Sequence, residues 1–137
     1  MQLISLTGRI LFSLIFFFAG LPLFGPATAA YASSQGVPLA NVLVPLSGVL
    51  SVLGSVSIFL GYKTRIGAAM IVLFLVPVTI VFHHFWTIAD AQARGMAMID
   101  FMKNTSILGG ALILLVQGPG AYSLDSRTKP VPEGKQN

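Results

Sequence analysis

The chain contains no cysteine and carries very little charge. Without cysteine there is no disulfide framework, no thiolate metal ligand and no thiol redox pair, so any redox chemistry would need a bound cofactor or a partner. Lys, Arg, Asp and Glu together make up 9% of the 137 residues, against about a quarter in soluble domains, which is too few to cover a water-facing surface. Disorder is excluded as well, because 55% of the residues are apolar and the mean hydropathy is +0.85, whereas a disordered segment needs low hydrophobicity. There is also no nucleophile with its base, no phosphate-cradling glycine loop and no catalytic carboxylate pair. Gly118, Pro119 and Gly120 form a helix stop instead. The few cations flank apolar runs and are not gathered in one patch, which argues against nucleic acid as a partner.

What is present is long apolar runs. About 20 helical residues cross a hydrocarbon core, and the runs cover about residues 3 to 24, 39 to 60, 64 to 85 and 96 to 117. The expected fold class is all-α, an integral membrane four-helix transmembrane bundle over residues 1–120 with an exposed tail over 121–137. PATAAYASSQGVP reads as an uncharged loop. GYKT is too short to recross the bilayer and forces a helical hairpin. In WTIADAQARG, Asp90 and Arg94 share a helical face, and Gly95 is placed to end that turn. Ala27, Thr28 and Ala29 have a cleavage-site pattern, but the apolar run before them starts at Leu3 and is long for a signal peptide, so span one is expected to be retained.

Orientation follows from the cations. Arg9, Lys63, Arg65, Arg127, Lys129 and Lys135 fall on the side of the termini, and Arg94 and Lys103 on the other. The positive-inside rule then places both termini in the cytoplasm of a multi-pass inner (plasma) membrane protein. Helices in lipid pack through small residues and interhelical hydrogen bonds. Ser47, Ser51 and Ser55 supply that spacing in span two, as do Ser57 with Gly61, Thr105 with Gly109, and Ser106 with Gly110. Pro77 should bend span three.

Ionisable residues gather at the opposite, periplasmic end. His83 and His84 close span three and Trp86 follows, while Asp100, Lys103 and Asn104 stand at i, i+3 and i+4 on span four. Asn41 lies at the same level, and Thr79 one turn below His83. A lysine at a helix centre in lipid costs about 2.5–3.5 kcal/mol, so Lys103 needs a partner if span four begins at Met96, and Asp100 is the nearest. If the span begins at Phe101, Lys103 is a headgroup anchor. Adjacent histidines point about 100° apart on a helix, so His83 and His84 cannot share one ligand, which disfavours metal and haem. Interfacial packing and hydrogen bonding to a small ligand remain open for both.

GRILFSLIFFFAG (8–20), FLGYKTRIGAAMIVLF (59–74), HHFW (83–86), FMKNTSILGGALILL (101–115) and GPGAYSLD (118–125) resemble the DoxX family of small four-span membrane proteins. The resemblance implies a membrane subunit associated with a redox enzyme. On that footing His83, His84, Trp86, Asp100, Lys103 and Asn104 are the candidate cofactor-binding residues, with a quinone-like ligand and a redox partner protein expected beside the lipid bilayer. The alternatives are a noncatalytic scaffold that recruits a partner enzyme, and a small-solute transporter. Homo-oligomerisation stays open. Many DoxX relatives carry an acid early in span two, where this chain has Pro45, Leu46, Ser47 and Gly48, leaving Asp100 as the one acid in the membrane zone.

Overall fold

The computed structural model describes residues 1–127, and among these the regular structure is entirely helical. The helices are α1 (Gln2–Gly20), α2 (Pro26–Ser34), α3 (Ala40–Leu60), α4 (Thr64–Phe82), α5 (Ala91–Gln117) and α6 (Leu124–Arg127), with short 3-10 turns at Leu21–Phe24 and Phe85–Thr87. Four segments are long and apolar enough to cross a membrane: Gln2–Phe24, Ala40–Leu60, Thr64–Thr87 and Ala91–Gln117. α3 is the central helix, packed between α1 and α4, and α5 packs on α4. Phe16, Ile58, Ala68, Ile71, Phe74, Leu75 and Ala111 form the core, where Phe16 meets Phe74 edge to face at 6.2 Å.

The two seams of α3 are made by missing side chains. A Cβ at Gly67 would stand 2.5 Å from Ser57 Oγ and 2.9 Å from the Gly54 carbonyl, and one at Gly54 would stand 3.0 Å from the Gly67 carbonyl. On the other side, Gly20 lies against Ser51 and Val52, and Gly48 against Leu23 and the Gly20 carbonyl. Ser51 Oγ donates across this seam to the Phe16 carbonyl at 2.7 Å. Ser47 and Ser55 donate instead to carbonyls of their own helix, Val44 and Val52, the usual fate of serine in a membrane helix.

The short link between α3 and α4 closes as a Schellman turn. Gly61, at φ 67°, donates to the Ile58 carbonyl and Tyr62 to the Ser57 carbonyl. Lys63 is also left-handed, at φ 48°, an arrangement costly for a side chain with a Cβ. The cost is offset by Asp125, whose carboxylate accepts from the backbone N–H of Lys63 at 2.7 Å and of Thr64 at 3.0 Å, capping the start of α4. Asp125 in turn donates its own N–H to the Gly61 carbonyl at 2.8 Å.

Three local expectations change. PATAAYASSQGVP is mostly helix, because Pro26 sits at the first helical position and the alanines favour helix, and Ala29 and Ala32 are buried. α5 does not stop at Gly95: Asp90 caps it by accepting from Ala93 N at 2.8 Å, and the helix runs on through Gln117. Its 27 residues reach about 40 Å at ~1.5 Å each, so it outreaches the bilayer core. Finally, the start of the expected tail is docked. Arg9, buried in α1, donates through Nη1 to the Pro119 carbonyl at 2.9 Å and through Nη2 to the Tyr122 carbonyl at 2.8 Å. Ser123 is buried beside Gly61, and Arg65 donates to the Val116 carbonyl at the end of α5. The rest of that tail, residues 128–137 with Lys129 and Lys135, lies outside the described residues.

Two outcomes are expected in thermal unfolding in detergent. Gly67→Val should destabilise by about 2 kcal/mol or more through overpacking, and Gly109→Val, which meets open space, should have little effect; equal effects would contradict the backbone seam. Arg9→Met should cost about 2–4 kcal/mol by leaving two carbonyls without their charged donor, and should expose residues 118–127 to protease before the bundle itself melts.

Candidate functional site

The six residues singled out in the sequence occupy the same end of the bundle but do not converge on one hollow. Asp100 and Lys103 form an ion pair at 2.7 Å along one face of α5, with side chains 42% and 54% exposed. Lys103 therefore has the partner its depth requires, and the pair faces outward. His83 follows the last residue of α4, donates its backbone N–H to the Thr79 carbonyl and lies close enough to Asp100 to interact electrostatically. Trp86 is exposed and packs edge-on with Phe85 and Phe101, at 5.3 and 5.8 Å between ring centres. This aromatic group ties the turn after α4 to the side of α5. Asn104 is buried on α5, and its carboxamide hydrogen-bonds to no other described residue. Asn41 is exposed at the start of α3.

His84 meets the Trp86 ring at 6.3 Å between centres and also lines a groove on α3 and α4. Its Nδ1 lies 2.6 Å from the Val81 carbonyl, and a carbonyl can only accept, so Nδ1 carries the proton. In the neutral ring Nε2 is then an acceptor. This imidazole belongs to the rim of a groove of about 720 Å³ between α3, α4 and the segment after α2. Gln35, Gly36, Val37 and Pro38 form the end wall, Leu43, Leu46, Ser47 and Leu50 one side, and Leu73, Pro77, Ile80 and Val81 the other. Leu46, Leu73 and Ile80 are exposed along its lips, so the groove opens sideways, toward lipid. Among the described residues no charged side chain lines it.

Pro77 helps to shape the groove, since it has no N–H to bond the Leu73 carbonyl, and both residues are on its wall. His84 and Pro77 stand out in the sequence but the groove does not, because its walls come from three distant segments. The hint available in the sequence was Gly36-Val37-Pro38, a stop that returns the chain over the end of α3. A second, smaller apolar hollow of about 260 Å³ lies between α1 and α3, bordered by Ser13, Phe17, Ser55 and Phe59. Among the described residues, no three His, Asp or Glu side chains are grouped as a metal site.

Comparison with known proteins follows the span architecture. A family model described as the SURF4 family matches residues 1–131. The inner membrane proteins YphA and YqjF of Escherichia coli are each 36% identical to the chain, over 89% and 88% of it and 88% of their own lengths. The Surfeit locus protein 4 homolog of Schizosaccharomyces pombe is 32% identical over 91% of the chain, which covers only 37% of that longer protein. No solved structure matches. With four spans and bacterial relatives of the inner membrane, this is a multi-pass inner membrane protein.

These matches overturn the DoxX resemblance, and with it the reading as a quinone-holding subunit of a redox complex. The segments that suggested DoxX are apolar spans, a helical hairpin link, interfacial aromatics and a helix stop. A four-span bundle of any family needs these features, so they carry architecture and not activity.

Lys103→Met is expected to change stability by less than about 1 kcal/mol, as for other exposed ion pairs. Asn104→Leu should likewise change stability by less than about 1 kcal/mol, because the amide hydrogen-bonds to no described residue and is not among the polar atoms sealed without a partner. Chemical or thermal unfolding of both variants checks this, and a strongly destabilised Asn104→Leu would show that the amide has a structural role.

Proposed function

The chain belongs to the SURF4 family, and on that premise we propose that it is a non-catalytic client-binding protein of the membrane, which receives an apolar part of another molecule in its lateral groove. The observation that carries this reading is the groove itself: about 720 Å³, apolar walls, a polar rim at Gln35 and His84, and an opening toward lipid. Binding sites of this size are concave and mostly apolar, with a few polar groups that set orientation.

The candidate cluster contributes differently. Phe85 and Trp86, packed on Phe101, hold the turn after α4 against α5, and Trp86 also meets the His84 ring at 6.3 Å at the rim, whereas the Asp100–Lys103 pair stays within α5 and faces outward. With both termini in the cytoplasm, the groove opens into the outer leaflet. A budding-yeast relative, 31% identical over 59% of this chain and covered over 26% of its own length, is named an ER-derived vesicles protein. Holding a client within the bilayer is a role that a vesicle protein and an inner membrane protein can share.

A photoreactive residue placed at Leu46, in the groove, should give discrete adducts in cells. The same residue at Leu112, exposed on α5, should not. Indistinguishable adducts from both positions would rule the groove out as the client site.

A further inference from the structure

We infer that the occupant of the groove is one acyl chain of a phospholipid whose headgroup offers an N–H donor, of the ethanolamine type. This rests on the reading of the groove as a client site and specifies the chemistry of the client.

Depth is the first argument. Along α4 the lining runs from Leu73 to Phe82 and on to His84. The nine steps from Leu73 to Phe82 at ~1.5 Å each span about 14 Å, close to half of a hydrocarbon core about 30 Å thick. The groove therefore reaches from headgroup level to about the bilayer midplane, the depth that an acyl chain of one leaflet occupies. A transmembrane helix would instead need contact along the full span. Below Leu73 and Leu50 that contact is denied, because the wall closes where Gly54 and Gly67 bring α3 and α4 together.

Access is the second argument. The lips at Leu43, Leu46, Leu73 and Ile80 are exposed while Val44 and Phe74 behind them are buried, so a chain can enter sideways from the leaflet without leaving hydrocarbon.

The rim decides the headgroup. Among the described residues no Lys or Arg lines the groove, so none of them neutralises an anionic headgroup there. The Val81 carbonyl accepts from His84 Nδ1, which leaves Nε2 an acceptor in the neutral tautomer, and the carboxamide oxygen of Gln35, another lining residue of the groove, is a second acceptor. Acceptors at headgroup level favour a primary ammonium, which has N–H to donate, over a quaternary ammonium, which has none.

The test uses the full chain, stripped of lipid in detergent and returned to nanodiscs of mixed palmitoyl-oleoyl phosphatidylethanolamine, phosphatidylcholine and phosphatidylglycerol. Retained lipid is then measured by native mass spectrometry. Wild type should hold one ethanolamine lipid with roughly fivefold preference over choline, as expected for about one net hydrogen bond. The double variant Gln35→Leu, His84→Leu should keep a lipid but lose the preference. Val78→Trp, which fills the groove, should lose the lipid; if that variant does not fold, Ile80→Trp on the exposed lip takes its place.

Equal retention of the three headgroups by wild type overturns the proposal, and so does undiminished lipid in the filled variant, which would mark annular lipid only. Polypeptide adducts from position 46 without retained lipid would sink the acyl-chain inference while leaving the client-binding reading standing.

Discussion

Close approach of helix backbones is the constraint on which the rest of this bundle depends. In lipid the tails are as apolar as leucine, so apolar area does not sort one helix against another, and contact must come from shape and from hydrogen bonds. α3 achieves both. Gly54 against Gly67 lets it touch α4, and Gly48 with Gly20, joined by the bond from Ser51 to the Phe16 carbonyl, lets it touch α1. The groove is a consequence of the same geometry. α3 and α4 are pinned together at Gly54 and Gly67 and separate toward the other end, where Pro77 interrupts the hydrogen bonding of α4 and the segment after α2 covers the gap.

At the end of the bundle that carries the termini, polar groups hold together what lipid does not. A buried arginine is costly, and Arg9 is tolerated because two backbone carbonyls of the segment after α5 receive its guanidinium. The same segment delivers Asp125 to the two N–H groups that open α4. One short stretch thus joins α1, the α3–α4 turn and the end of α5. The groove lies toward the other end, so its lips are free of this restraint.

Much of the fold was legible because lipid imposes it: a backbone in hydrocarbon must satisfy its own hydrogen bonds, so long apolar runs become helices. The i, i+3 spacing of Asp100 and Lys103 likewise foretold their ion pair. Their common purpose was not legible. His83 and His84 are neighbours in sequence, yet His83 interacts with Asp100 while His84 bonds the Val81 carbonyl and lines the groove, because α4 ends at Phe82 and both residues lie in the non-helical turn that follows it. The family, too, was misjudged from segments whose chemistry any four-span protein repeats.

Composition and periodicity by themselves determined that this is an all-helical chain of four spans, since too little charge and enough apolar length leave a membrane as the solvent. Only the tertiary structure decided that residues 26–34 are helix over the end of the bundle, that Arg9 is buried on distant carbonyls, and that Gln35, Leu46, Pro77 and His84 share a groove. The physical reason is range. Helix formation is satisfied within a few residues, whereas a cavity and a buried cation are satisfied by groups far apart in the chain, and which groups those are depends on how the helices pack.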